Sequence, residues 1–68
     1  MTLDEFKKDI EWGIEDFPKN WNIGKKVYAY IDHEYRVAKD VQFKDEVDCC
    51  NDDSKVEEFI LKAFERVK

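Results

Sequence analysis

Few side chains in this sequence are of a type that does chemistry. His33 is the only histidine and lies between Asp32 and Glu34. An imidazole flanked by carboxylates suits a metal ligand or a proton shuttle, but no second ligand of the His or Cys type is near it in sequence. Cys49 and Cys50 are adjacent. A bond between neighbouring cysteines is strained, so no disulfide framework follows, and with one histidine no zinc spacing is present. Cys50 and His33 make a nucleophile pair on paper, yet nothing in the sequence orients one toward the other. Asp45, Glu46, Asp48, Asp52 and Asp53 form a dense acidic run that lacks the glycine and ligand spacing of a calcium loop. Gly13 and Gly24, the only glycines, fit neither phosphate-loop pattern. The expectation is a protein that is not an enzyme and carries no metal or cofactor.

The charge balance narrows the partners. The chain has 68 residues, 43% of them charged, with a net charge of -5. A binder of nucleic-acid backbone needs a basic patch to displace counterions, so direct nucleic-acid binding is not expected. An anionic membrane surface is disfavoured for the same reason, whereas a protein partner with a basic surface is attracted. Met1 to Phe17 is charged throughout and does not read as a secretory signal, and no run of about 18 apolar residues is present to span a membrane. A single domain over residues 1–68, in the cytoplasm, is the expectation.

The elements that must position these groups follow from periodicity. Thr2 to Asp16 reads as a helix: Thr2 and Glu5 form a capping box, and Asp4 and Glu5 suit the positive end of the dipole. Leu3, Phe6, Ile10, Gly13, Ile14 and Phe17 lie along one stripe of it, and Pro18 ends it. Lys19 to Gly24 is a loop with Asn20, Asn22 and Gly24 as turn residues. From Lys25 to Cys50 the apolar residues Val27, Ala29, Ile31, Tyr35, Val37, Val41, Phe43, Val47 and Cys49 all fall on odd positions. Strict alternation is the signature of a half-buried sheet. It predicts antiparallel strands over 26–32 and 35–43, with Asp32 to Glu34 as the turn. Lys39 marks a bulge or edge, and 46–50 is either a short third strand or the end of a long bent one. Ser54 and Glu57 form a second capping box. It opens a helix whose stripe is Val56, Phe59, Ile60, Ala63, Phe64 and Val67. The predicted fold is α+β, a two-layer helix–(two or three antiparallel strands)–helix with both helices on one face of the sheet.

Two surfaces follow from that arrangement. Trp12 lies nearly opposite the first stripe, among Glu5, Lys8, Asp9, Glu15 and Asp16. It is covered by the Lys19 to Gly24 loop, lies flat on the side chains of neighbouring lysines, or is an exposed aromatic anchor within an acidic rim. Tyr28 and Tyr30 fall on even positions and would share the open polar face of the sheet with Arg36, Gln42, Glu46 and Asp48.

Met1-Thr2-Leu3-Asp4-Glu5-Phe6, Phe17-Pro18, Val27-Tyr28-Ala29-Tyr30-Ile31-Asp32 and Val37-Ala38-Lys39-Asp40-Val41 together resemble a type of small acidic protein found in phages and mobile elements of bacteria. In that type a capped helix ends near a proline and is followed by a β-hairpin. Some such proteins inhibit host nucleases or anti-phage machinery by presenting carboxylates where nucleic-acid phosphates would lie. The resemblance implies an inhibitor or DNA mimic that docks a basic, nucleic-acid-binding host protein. The surface residues expected to bind it are Trp12, Tyr28, Tyr30, Asp45, Glu46, Asp48, Asp52 and Asp53. The alternative is a structural or regulatory homodimer assembled through the open sheet face.

Overall fold

The computed structural model describes residues 1–41 and 51–67. Among them there are three α-helices and no strand: α1 (Leu3–Gly13), α2 (Ile23–Glu34) and α3 (Asp53–Val67). A short 3-10 turn, Ile14–Asp16, extends α1, and another, Ala38–Val41, follows α2. Each helix packs against the other two. Among the described residues the architecture is all-α, and the two-layer α+β fold predicted from alternation is wrong.

The error lies in α2 and has a simple cause. Ile23, Val27, Ile31 and Tyr35 recur every four residues. That spacing is one side of a helix, and because four is even it also keeps every member on odd positions. Ala29 separates the readings. A strand would turn it inward with Val27 and Ile31, whereas here it is only half-buried while Val27 and Ile31 are buried. Even-numbered Gly24 is buried as well. The start signal is Asn22, whose side-chain oxygen accepts from the Lys25 N–H at 2.7 Å and caps α2 instead of belonging to a turn. Asp32, His33 and Glu34 form the last turn of the helix rather than a hairpin. The helix stops at Tyr35. Arg36 takes a left-handed conformation (φ 59°), and its N–H donates to the Ile31 carbonyl at 3.0 Å. This is the usual position for a helix-terminating glycine, and a side chain there costs about 1 kcal/mol. Lys39 sits in the second 3-10 turn, not at a bulge. The proposed strand over 46–50, and with it Cys49 and Cys50, lies outside the described residues.

The flanking helices follow from local signals. In α1 the Thr2 hydroxyl accepts from the Glu5 N–H at 3.2 Å and Glu5 accepts from the Thr2 N–H at 2.8 Å, closing the capping box. The bond from the Thr2 N–H, and next the Thr2 hydroxyl, hold the Glu5 carboxyl below its ordinary pKa. Phe17 is extended ahead of Pro18, where the chain leaves the 3-10 turn. In α3 the cap is Asp52 rather than Ser54. Its carboxylate accepts from the Ser54 N–H at 2.9 Å and its carbonyl from the Val56 N–H at 3.1 Å.

The core is built from one stripe of each helix. Phe6 and Ile10 come from α1, Val27 and Ile31 from α2, and Val56, Phe59, Ile60 and Ala63 from α3, with Ala38 and Val41 closing one end. Phe6 and Phe59 are fully buried. Phe6 meets Tyr35 edge-on at 5.0 Å and lies 5.6 Å from Phe64. Such ring pairs add about 0.5–1.5 kcal/mol each beyond their buried area. Lys7 and Glu57 bridge α1 to α3 at 2.9 Å on the surface, where an ion pair adds less than about 1 kcal/mol. With residues 26–41 helical or in turns, the β-hairpin that carried the resemblance to phage and mobile-element proteins is absent. The inhibitor and DNA-mimic expectations lose the resemblance that suggested them. Among the described residues there is also no open sheet face for a homodimer to assemble across.

Candidate functional site

Trp12 is 81% exposed, the most exposed large apolar side chain among the described residues. Its place follows from helix geometry. Phe6 and Ile10 turn α1 toward the core, and a residue two positions beyond Ile10 is rotated by about 200°, away from it. The Lys19 to Gly24 loop does not cover it. Trp21 in that loop instead stacks on Phe17 (5.5 Å, 16°), and the Lys25 ammonium lies 4.3 Å from the centre of the Trp21 ring.

Trp12 lines a groove of about 380 Å³ with Gly13, Asp16, Phe17, Tyr30, His33 and Glu34. The end of α1 and its 3-10 turn form one wall, and the last turns of α2 form the other. Gly13 allows the walls to meet: a Cβ built on it would fall within the Tyr30 ring. Its presence in an otherwise apolar stripe marks a close approach, here to a tyrosine of α2 and not to a sheet.

Asp9 fixes the floor. The Tyr30 hydroxyl donates to Asp9 Oδ2 at 2.9 Å, and the Tyr35 hydroxyl donates to the same oxygen. Burial, then the hydrogen bond to Asp9 and its negative charge, pushes the Tyr30 phenol up to about 12. The same causes, in the same order, raise Tyr35. Both phenols therefore stay protonated at neutral pH and serve as donors that hold the carboxylate, not as bases. Asp9 is thereby engaged, whereas Asp16 and Glu34 have no hydrogen bond or ion pair among the described residues. Among the described residues no lysine or arginine lines the groove. It is aromatic and negative, and open to solvent.

The expected partner-binding residues do not form one surface. Trp12 and Tyr30 come together in the groove. Tyr28 is two residues from Tyr30 on a helix, so it points to the other side, where it stacks on Phe59 at 5.7 Å. Asp52 and Asp53 are exposed at the start of α3, and Asp53 borders a different groove with Lys7, Ile10 and Val56. Asp45, Glu46 and Asp48 lie outside the described residues. Asp9 and Asp16 are legible near Trp12 from the helical wheel. Tyr30, His33 and Glu34 are not, because their approach depends on how α2 lies across α1. Among the described residues no cluster of His, Cys, Asp and Glu is placed to hold a metal ion. Nor is any described helix long and apolar enough to cross a membrane. Comparison with protein-family models, with curated proteins and with solved structures gives no match, so no family supports the phage-protein resemblance.

Proposed function

We infer that this chain is a non-enzymatic protein-binding module that docks the basic surface of another protein through Trp12 and the groove beside it. The observation that carries the reading is the exposure of Trp12 on the rim of a groove where, among the described residues, two carboxylates have no partner and no lysine or arginine is present. An exposed indole costs a folded protein solubility and returns nothing to its core. Tryptophan buried on association is, by contrast, among the residues that contribute most to interfaces, about 2 kcal/mol or more each. The net charge of -5 adds attraction at a distance, which salt weakens beyond a Debye length of about 8 Å.

The test is capture by the immobilised chain at low and at high salt, with wild type and Trp12→Ala side by side and bound proteins quantified by mass spectrometry. The expected result is a discrete set of basic proteins retained at low salt, released by salt and lost with the substitution. Equal capture by both chains would overturn the reading. So would a dimer mass in light scattering that Trp12→Ala converts to monomer, since Trp12 would then serve self-association.

A further inference from the structure

We propose that the groove between the end of α1 and the end of α2 is a seat for one arginine side chain of the partner, with Trp12 as the stacking surface and Asp16 and Glu34 as the acceptors. The proposal rests on the docking function above and names what its groove recognises. Three observations carry it. The Trp12 ring is open, with no ring or cation packed on it among the described residues, so a planar cation can lie against it. Asp16 and Glu34 line the same groove and have no partner among the described residues, while the third nearby carboxylate, Asp9, already accepts from two phenol hydroxyls at Oδ2. Tyr30 is pinned by Asp9 and pressed against Gly13, which makes the floor rigid.

These features select among cations. A guanidinium is flat, stacks on an indole face and keeps its N–H groups free at its edges for carboxylates. A quaternary ammonium stacks but has nothing to donate, and would leave both carboxylates without a hydrogen bond. A lysine ammonium donates but has no plane to stack. The Lys25 ammonium over Trp21 shows that a cation on an indole face is compatible with this fold.

The chain has two tryptophans, so an ¹⁵N-labelled sample gives two indole signals, which Trp12→Phe assigns. The probes are Nα-acetyl-arginine amide, its uncharged analogue Nα-acetyl-citrulline amide, and tetramethylammonium. The expected result is a saturable shift of the Trp12 indole with the arginine probe while the Trp21 indole stays in place. The other two probes should bind at least about tenfold more weakly. The double variant Asp16→Asn/Glu34→Gln should lose about tenfold in affinity for the arginine probe, its fold verified by an unmoved Trp21 signal. Both carboxylates are exposed, so this variant leaves the core intact. Equal shifts with the citrulline probe, no saturation with the arginine probe, or undiminished affinity in the double variant would each overturn the seat. Trp12-dependent capture of a partner that survives the double variant would also remove the arginine seat while leaving the docking function. Saturable arginine binding without any captured partner would support the seat and count against the docking function.

Discussion

The two tryptophans of this chain lie on either side of one bend and have opposite surroundings. Trp21 is clamped, with Phe17 stacked on one side and the Lys25 ammonium near its ring. Trp12, on the rim of a groove that Phe17 also lines, has neither kind of contact and stands 81% exposed. The contrast separates two uses of the same residue type. An indole with intramolecular partners stiffens the connection between α1 and α2. One without them, beside unpaired carboxylates, contributes little to the fold and is free to contribute to an encounter. A residue's identity therefore does not decide its use here; what the neighbouring helix places beside it does.

The strongest way to break this contrast is at Gly13. Gly13→Ala gains about 1 kcal/mol of helix propensity, and the backbone there is ordinary right-handed helix, so any loss must come from Tyr30. The new methyl overlaps a ring held by Asp9, and overpacking of this kind costs about 1–3 kcal/mol. The expected net outcome is a destabilisation of about 1–2 kcal/mol in urea unfolding, together with loss of the Tyr30 contact to Asp9. A more stable variant would mean that Tyr30 swings aside freely and that the groove floor is not rigid.

The next effect compares the tryptophans directly. Trp21→Ala should lower stability by about 1–2 kcal/mol through the lost stacking and cation contact. Trp12→Ala should change it by no more than about 0.5 kcal/mol. Thermal or urea unfolding of the two variants measures the difference, and equal losses would erase the distinction between a structural and a surface indole.

The gentlest perturbation is alkaline pH. Tyr30 and Tyr35 are raised in the fold, so the unfolded chain gives up those protons first. Their contribution is complete below about pH 10, the ordinary tyrosine value, and is lost as pH rises toward about 12. The urea midpoint should fall across that window, and Tyr30→Phe should make the fall shallower. A midpoint independent of pH in that range would show that neither burial nor Asp9 raises the two phenols.

Much of the frame was legible from local signals. The Thr2–Glu5 capping box, the extended Phe17 ahead of Pro18 and the stripes of α1 and α3 involve residues within a turn of one another, so short-range rules reach them. At the start of α3 the aspartate ahead of the expected serine took the cap, a shift within the ordinary uncertainty of helix ends. The middle of the chain resisted because its apolar residues recur at a spacing common to both periods. Tyrosine and valine, favoured in strands, then tilted the reading toward a sheet. Asn22 was the available counter-signal: a strong capping residue one position ahead of the Ile23, Val27, Ile31 series.

What the sequence by itself determined is the set of local choices: where α1 and α3 begin, which faces they bury, and that Trp12 lies off the first stripe. These are set by caps, dipoles and the helical period, all acting within a few residues. Tertiary structure decided that residues 23–34 are helical, because only packing against α1 and α3 distinguishes two periods that share the same odd positions. It also decided that Tyr30 and Tyr35 reach Asp9, and that Asp16 and Glu34 flank one groove. Those contacts join residues far apart along the chain, and their geometry comes from the crossing of α1 and α2, which no local spacing encodes.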